Sequence, residues 1–407
     1  MLNYAKKFST FCFLDNHQYQ LTPHSEECLL ALGVKRSVKA SAGTALIALN
    51  EFIHEKRSWL FGHLAYDLKN EIEDLHSANP DGIQFPDLYF FEPEVLIKFD
   101  DRSMEIEAED PHAVWNEINA MQEVEKIPAG PTCIEQRFSR KEYIETIQRL
   151  KQHILRGDCY EINFCQEFFG EIKIDPVQVY QKLASLSPNP FSAFYRLDDK
   201  WLICASPERF LRRKGRELIS QPIKGTSRRV ITDAKEDLLS RAFLENSEKD
   251  RSENVMVVDL VRNDLSKVCE EASVKVDELF GIYSFPQVHQ MISTVSGTVK
   301  EELPFADIIR ACFPMGSMTG APKKKVMELI EKYERTRRGI FSGAVGYIDP
   351  NGDFDLNVVI RSIMYNAATD YLSIQAGSGI TFYSEPEKEW EECMMKMEAM
   401  KRVVSGE

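Results

Sequence analysis

The sequence predicts an α+β fold in which large antiparallel β-sheets carry helices packed on their outside. Short runs rich in β-branched and aromatic residues follow one another directly, separated by turn signals such as DDK and DPNG. Helical stretches come between and after these groups of strands, and they do not alternate with single strands. Strands that run into strands favour antiparallel sheets over the alternating pattern of a parallel sheet.

The first part of the chain has a mixed pattern of strands and helix. FCFL, WLFGHLAYDL and LYFFEPEVLIKF are strand candidates, and a helical stretch covers about 40–55. A polar, acidic span follows and ends in KIPAGPT at Lys126–Thr132, where the proline and glycine residues predict a linker. We therefore divide the chain into an N-terminal region, 1–125, and a second region, 138–404, which we expect to form one intertwined globule.

The second region begins with a helix whose limits are well marked. Ser139 and Glu142 form a capping-box signature, apolar residues recur at helical spacing as far as Ile154, and Gly157 ends the pattern. Two strand meanders follow, with the runs FSAFYRL, WLICAS, RFLRR, ELISQPIKG, FSGAVGYI, DLNVVIRSIMY and YLSIQAGSGI. The other helical stretches are Lys235–Lys249, Asp250–Leu265, Pro322–Tyr333 and Pro386–Val404.

The composition narrows the possible partners and the cellular location. With 407 residues, 43% of them hydrophobic, and a net charge of -14, the chain is typical of an acidic globular protein. That charge disfavours nucleic acid and acidic membrane surfaces. No signal-peptide core and no uncharged apolar run of about 18 residues is found, so we expect no membrane span and a cytoplasmic location. The nine cysteines lack CxxC spacing, which is typical of reduced core thiols.

Two pairs of carboxylates have a spacing that suits a metal ion. Asp250 with Glu253, and Glu389 with Glu392, are each three residues apart in a predicted helix, so each pair lies on one helix face. Oxygen ligands of this kind suit Mg²⁺. Acidic pairs are also common on solvated helix faces, and the spacing alone leaves both interpretations open.

A single lysine stands between a proline and a glycine in PIKGT at Pro222–Thr226. A hairpin turning at Lys214–Gly215 would bring Glu208 of SPERF near this segment, with Lys224 three residues out of register. Because Pro222 interrupts the strand, the face taken by Lys224 stays open. A surface lysine in a turn is the common alternative.

Two glycine-rich segments are weaker signals. FPMGSMTGAPKKKVMELI predicts a loop that enters a helix, where free backbone N–H groups could receive an anion, but it lacks the spacing of a P-loop. AGSGI at Ala376–Ile380 is not a dinucleotide fingerprint. Ordinary tight turns explain both segments equally well.

Taken in order, the motifs resemble the signatures of the chorismate-utilising enzymes. These motifs are SPERF, PIKGT, DRSENVMVVDLVRNDLSKV, FPMGSMTGAP, SGAVGY, IRS and AGSGI followed by PEKEWEE. The resemblance runs from Ser139 to the C-terminus, and FCFLDN and GHLAYDL are similar to the N-terminal part of component I proteins in that family. It implies that 138–404 is the chorismate-binding catalytic domain. The lysine in PIKGT is typical of the aminodeoxychorismate synthases, whereas the anthranilate synthases similar to this chain carry alanine there.

The resemblance implies a bound magnesium ion. Glu253 and Glu392 would hold Mg²⁺ on the ring carboxylate of chorismate, with Asp250 and Glu389 as nearby ligands or water holders. The metal would offset negative charge that an acidic site would otherwise repel.

The resemblance also implies two catalytic residues. Glu208 matches the general acid that protonates the departing ring hydroxyl, and it must therefore stay protonated near neutral pH. Lys224 matches a nucleophile that forms a covalent adduct at ring carbon 2, which ammonia then displaces by entering at carbon 4. No glutaminase motif surrounds any cysteine, so the ammonia is expected from a separate glutamine amidotransferase subunit. The implied product is 4-amino-4-deoxychorismate, on the route to 4-aminobenzoate and folate.

Positions that bind substrate in the family are also matched. They are occupied by Thr226, Tyr347, Arg361, Gly377 and Gly379. Glu161 departs from the family, because the isochorismate-forming enzymes carry lysine at that position and many aminating enzymes carry glutamine. A second departure is Gln290, where anthranilate synthases carry the histidine of their HxxS signature, with His289 one position earlier.

Two alternatives stay open. An anthranilate synthase component I would share nearly all of these motifs, and Lys224 is the feature that distinguishes it. A non-catalytic regulatory homologue would keep the fold and a partner surface. The intact set of Glu208, Lys224, Glu253 and Glu392 weighs against that second alternative.

Overall fold

The computed structural model describes residues 1–19, 28–121 and 133–405. Within these residues the chain folds into two antiparallel sheets with helices packed outside them, which confirms the predicted α+β class. The predicted linker at Lys126–Thr132 lies outside the described residues. None of the described helices is long and apolar enough to cross a membrane.

The elements are numbered here in chain order. The strands are β1 (Thr10–Asp15), β2 (Cys28–Leu32), β3 (Arg36–Ala40), β4 (Leu60–Leu64), β5 (Leu88–Glu92), β6 (Val95–Phe99), β7 (Met104–Glu107), β8 (Glu135–Gln136), β9 (Glu161–Glu171), β10 (Phe191–Leu197), β11 (Lys200–Ser206), β12 (Arg209–Lys214), β13 (Glu217–Gln221), β14 (Ile223–Arg228), β15 (Lys275–Ser284), β16 (Val288–Thr298), β17 (Gly320–Ala321), β18 (Ala344–Ile348), β19 (Phe354–Asn357), β20 (Ser362–Asn366) and β21 (Tyr371–Ile380). The α-helices are α1 (Leu2–Ala5), α2 (Ala45–Glu55), α3 (Lys69–Ile72), α4 (Pro111–Ala120), α5 (Arg140–Leu155), α6 (Pro176–Leu186), α7 (Ala234–Glu245), α8 (Glu248–Val268), α9 (Phe305–Cys312), α10 (Lys323–Tyr333) and α11 (Pro386–Ser405).

The N-terminal strands extend both sheets. The first sheet has the order β17, β9, β21, β20, β11, β10, β1, β2, β6, β7, with β8 paired to β9. The second sheet has the order β16, β13, β12, β19, β18, β4, β5, β3, with β14 and β15 also paired to β16. Phe13 of β1 lies opposite Phe194 of β10, and Phe61 of β4 lies opposite Tyr347 of β18.

Both faces of the first sheet are buried. Cys12 of β1 and Ala31 of β2 belong to the core between the sheets, which continues onto α2, α8 and α9. Their neighbours Phe11 and Leu30 point to the other face and pack with α5, α6, α10 and α11. This alternation is the period-two pattern of a strand. Because apolar side chains cover both faces of the sheet, the polar side chains of a site can gather at the strand ends.

The hairpin before the PIKGT segment differs from the prediction by one residue. Lys214 pairs with Glu217, so the turn consists of Gly215 and Arg216, and Gly215 has a φ of 58°. Pro222, which has no N–H to donate, separates β13 from β14. Strand β14 then continues along β16 and carries Lys224 away from the hairpin.

Candidate active site

A cavity of about 440 Å³ lies between β14, the ends of β9 and β21, and helices α8 and α11. That volume suits a small organic ligand. Most of the residues predicted to form the site line this cavity. They are Glu208, Lys224, Thr226, Asp250, Glu253, Arg361, Gly377, Gly379 and Glu392.

Long-range packing brings these residues together. Glu208 lies in the short connection between β11 and β12, and Lys224 lies on β14, so both residues are near the open end of the β12–β13 hairpin. Asp250 and Glu253 share one face of α8, as their spacing predicted, and α8 packs on β14 and β16. Glu392 enters from α11, which packs on β21. The site therefore joins both sheets and two helices.

Lys224 is buried and paired, so the surface-lysine alternative is wrong. Its Nζ donates to Oε1 of Glu161 at 2.5 Å, and the two residues are 9% and 1% exposed. Glu161 is the first residue of β9, so this ion pair connects the two sheets. Burial alone would lower the pKa of Lys224, but Glu161 and Glu253 raise that pKa above its ordinary value. In this structure Lys224 is therefore an ammonium group.

Glu208 has the environment that a general acid requires. It is 4% exposed, and burial raises the pKa of its carboxyl group to about 7, although Ser317 and the Lys224 ammonium partly oppose that shift. With a pKa of about 7, about half of these carboxyl groups are protonated at neutral pH. Glu208 can therefore donate a proton to a group in the cavity.

Lysines form ion pairs with three of the carboxylates predicted to bind magnesium. Lys249 Nζ is 3.3 Å from Glu389 Oε1 and 3.8 Å from Glu253 Oε1, and Lys396 Nζ is 2.7 Å from Glu392 Oε1. In the part of the chain that the structure describes, no three His, Cys, Asp or Glu side chains lie close enough together to hold a metal ion. The four predicted carboxylates are therefore not assembled into one ligand set.

The carboxylates nevertheless fit a magnesium ion. Glu253 Oε1 and Glu389 Oε2 are buried and have no hydrogen-bond partner among the described residues. Burial, with the nearby charges of Glu161 and Glu389, raises the pKa of Glu253 to about 7. A cation would satisfy these oxygens, and Mg²⁺ needs only one or two protein carboxylates because it keeps several waters.

Tyr347 lies apart from the main cavity, and its predicted role in substrate binding stays a prediction. Tyr347 does not line the main cavity; it lines a smaller one of about 60 Å³, and its ring packs against Trp59 and Phe61. The reason is its place in β18, a strand in the middle of the second sheet. Phe341, six residues earlier, lines the main cavity instead.

Arg361 lines the cavity in an unusual backbone conformation. Its φ of 52° is in the left-handed region, which non-glycine residues rarely adopt, and its carbonyl accepts a hydrogen bond from Ala205 N–H. Burial lowers the pKa of the guanidinium group. Strained backbone of this kind clusters at functional sites.

The two glycines of β21 allow close approach. A Cβ on Gly377 would lie 1.9 Å from the carbonyl oxygen of Phe164, so the strand pairing itself requires a glycine. A Cβ on Gly379 would lie 2.6 Å from Lys224 Nζ and 2.7 Å from Glu161 Oε1. That these glycines donate backbone N–H groups to a substrate stays a prediction.

Sequence reasoning missed several cavity residues. Lys249 and Lys396 were not singled out, although each stands four residues from a predicted metal ligand, at the spacing of a helical ion pair. Asn163 and Ser317 were also missed; Asn163 Nδ2 donates to the Ser317 carbonyl at 3.0 Å. No local pattern marks these two residues, because β9 and the 316–318 turn meet only in the fold.

Glu253→Gln should make the metal-free protein more stable at alkaline pH. The folded-state pKa of Glu253, about 7, exceeds its ordinary value of 4.5, so its protonation stabilises the fold below pH 4.5 and that contribution is lost as the pH rises through 7. Glutamine imitates the protonated acid. We expect the variant to gain on the order of 2 kcal/mol in free energy of unfolding at pH 8 relative to pH 5. Urea denaturation in the presence of EDTA measures this gain. An equal change in the free energy of unfolding at pH 5 and pH 8 would contradict the raised pKa of Glu253.

Comparison with known proteins gives three kinds of match. A family model described as a chorismate binding enzyme matches residues 3–402. "Aminodeoxychorismate synthase component 1" of Klebsiella aerogenes is 36% identical over 83% of this chain and 75% of that protein. "Anthranilate synthase component 1" of Thermus thermophilus is 32% identical over 84% of this chain and 76% of that protein. The crystal structure of anthranilate synthase component I from Streptococcus pneumoniae superposes with a TM-score of 0.82 at 26% identity, covering 95% of each chain.

Proposed function

Since this chain belongs to the family of chorismate-binding enzymes, we propose that it aminates chorismate to 4-amino-4-deoxychorismate. Ammonia would come from a separate glutamine amidotransferase subunit, in the cytoplasm, on the route to 4-aminobenzoate and folate. The observation that carries this proposal is the buried Lys224 on the wall of the cavity, in the same cavity as the buried acid Glu208.

The cavity offers cations to a substrate with two carboxylates. Arg361 lines the wall and can bind one carboxylate through the planar fork of its guanidinium group. Lys249 and Lys396 also line the cavity, where they pair with its carboxylates. We assign Arg361 to the enolpyruvyl carboxylate and Thr226 to substrate contact beside it.

Glu253 and Glu392 would hold Mg²⁺, with Asp250 and Glu389 supporting it. When bound, the ion would neutralise the ring carboxylate of chorismate and the acidic wall together. Lys249 would then be released from Glu253, since the ion takes over the charge that Lys249 now offsets.

Glu208 and Lys224 would carry the chemistry. Neutral Lys224 attacks ring carbon 2, the double bonds shift, and the carbon 4 hydroxyl leaves as water after taking the Glu208 proton. Ammonia then bonds to carbon 4, the double bonds shift back, and Lys224 leaves as a neutral amine. The new ammonium group returns a proton to Glu208, so the acid is regenerated.

Anthranilate synthesis is the main rival, because relatives with that name match this chain almost as well. Anthranilate formation releases pyruvate, whereas 4-amino-4-deoxychorismate keeps the enolpyruvyl group. Lys224 favours retention, because the lysine in PIKGT is part of the resemblance to the aminodeoxychorismate synthases. A regulatory homologue without activity is disfavoured by the burial of Lys224 and Glu208 in one cavity.

Pyruvate release separates these functions. The purified chain is incubated with chorismate, MgCl₂ and an ammonium salt, and the loss of chorismate and the appearance of pyruvate are followed together. We expect ammonia-dependent loss of chorismate without pyruvate. One pyruvate for each chorismate would support anthranilate synthesis, and no loss of chorismate, even with an added amidotransferase, would support the regulatory homologue.

Magnesium should stabilise the wild-type protein through Glu253. A ligand that binds only the folded state at 100 times its dissociation constant adds about 2.7 kcal/mol to the free energy of unfolding. We expect MgCl₂ to raise the melting temperature of wild type at pH 8 and to have little effect on Glu253→Gln. The matched control is Glu245→Gln, an exposed carboxylate at the end of α7. Equal stabilisation of wild type and Glu253→Gln would contradict the magnesium assignment.

A further inference from the structure

The ion pair between Lys224 and Glu161 brings a base to the proposed nucleophile. Lys224 must be neutral to attack, yet in this structure it is a buried ammonium group. Glu161 Oε1 accepts from its Nζ at 2.5 Å, which is short for such a contact. The other Glu161 oxygen, Oε2, is buried and has no hydrogen-bond partner among the described residues. Glu161 is thus in direct contact with the proton that must leave.

No other charged group is paired with Lys224 Nζ among the described residues. Glu253 on α8 and Glu392 on α11 act on Lys224 through their charges, but no ion pair within 4.0 Å joins either carboxylate to Nζ. Glu392 pairs with Lys396, and Glu208 is the acid for the opposite proton transfer. By position, Glu161 is therefore the group able to take the proton from Lys224 directly.

Loss of water would favour that transfer. A buried ion pair keeps its charges only if their attraction exceeds the cost of removing both ions from water. A substrate that fills the cavity would exclude the remaining water, and a metal ion on Glu253 and Glu392 would cancel two of the negative charges that hold Lys224 protonated. The loss of water favours the neutral acid and the neutral amine over the two ions, and the metal ion would make the proton of Lys224 easier to remove.

We infer that Glu161 is the base that activates Lys224 and the acid that restores it, an inference that rests on the proposed amination. The Nζ proton moves to Glu161 Oε1, which leaves a neutral amine and a neutral carboxylic acid. The amine attacks ring carbon 2 and is later expelled as a neutral amine by ammonia. Glu161 then returns its proton to Nζ, so no proton is gained or lost over the cycle.

Gly379 makes room for this pair. A Cβ at this position would lie too close to both Lys224 Nζ and Glu161 Oε1, at 2.6 and 2.7 Å. The glycine therefore leaves space for the proton-transfer contact at the wall of the cavity. A side chain at position 379 would therefore disturb both partners.

Glu161→Gln tests the inference through the rate of adduct formation. Wild type and variant are mixed with chorismate and MgCl₂ without ammonia, quenched with acid at short times, and the Lys224 adduct is measured by intact-protein mass spectrometry. We expect the wild-type rate of adduct formation to fall above about pH 7, because Glu208 loses the proton that the departing hydroxyl requires. The variant should be slower by about 100-fold near pH 7, and its difference from wild type should become smaller as the pH rises, because solvent then removes the Lys224 proton instead.

Two further variants separate chemistry from structure. Glu161→Asp keeps a carboxylate and should keep the wild-type pH dependence at a lower rate. Glu167→Gln, on the same strand, removes a carboxylate that is 2% exposed and paired with Arg137, and it should leave adduct formation unchanged. If Glu161→Gln forms the adduct at the wild-type rate with the wild-type pH dependence, the inference is overturned. If wild type aminates chorismate but never shows an adduct, the nucleophile role of Lys224 fails and this inference fails with it, while the amination itself stands.

Discussion

Lys224→Ala should lose the covalent adduct with chorismate entirely and should aminate chorismate at least about 100-fold more slowly than wild type, equivalent to about 2.7 kcal/mol in the activation barrier. The adduct needs the Nζ atom, and among the residues that the structure describes no other side chain donates to the Glu161 carboxylate. The slower rate follows because ammonia would then have to displace the hydroxyl directly, without the two easier steps that a covalent path provides.

The matched control is Lys388→Ala. Lys388 also lines the cavity, but its side chain is 69% exposed and it pairs with Glu385 on the surface. We expect both the adduct and the rate to stay at wild-type levels in this variant. A Lys224→Ala protein that is folded by circular dichroism and aminates at the wild-type rate would contradict the nucleophile assignment.

Glu208→Gln should lower kcat for amination by about 100-fold to 10,000-fold, the range for loss of a general acid. Glutamine fits the same buried position but cannot give a proton to the departing hydroxyl. Because the pKa of Glu208 is raised to about 7, the acid is present below that pH and is lost above it. At constant free ammonia, the wild-type kcat/KM should therefore fall as the pH rises above about 7.

The variant should not show this decline, because its residual activity does not depend on the Glu208 proton. Glu391→Gln is the control, since Glu391 lines the cavity but is exposed. A wild-type decline above pH 7 that persists unchanged in Glu208→Gln would show that another group titrates there.

Much of the fold and of the candidate site could be predicted from local patterns. The i, i+3 spacing of Asp250 and Glu253 correctly placed both carboxylates on one face of α8, because helix geometry is local. Strand runs such as β10, β11 and β21 matched the structure, because their ends are marked by turn residues or glycine. The order of the motifs identified the family, which the comparison with a chorismate-binding family model confirms.

The remaining features depend on contacts between distant parts of the chain. Because Pro222 interrupts the strand, the sequence did not predict the face on which Lys224 lies. Pairing with β16 sets the direction of β14, and Lys224 is buried against Glu161 of the other sheet. Tyr347 and Phe341 stand six residues apart in one segment, and only the packing of β18 decides which of them reaches the cavity. Helical spacing could have suggested the pairing of Lys249 with Glu253, but its contact with Glu389 on α11 required the fold.

The structure of the product tests whether this chain places ammonia on chorismate and keeps the enolpyruvyl group. The purified chain is incubated with chorismate, MgCl₂ and ¹⁵N-labelled ammonium at mildly alkaline pH, and the product is identified by mass and fluorescence. We expect a non-fluorescent product in which one hydroxyl of chorismate is replaced by a ¹⁵N amino group and the enolpyruvyl group is intact. A fluorescent ¹⁵N-labelled anthranilate, formed with loss of pyruvate, would contradict it.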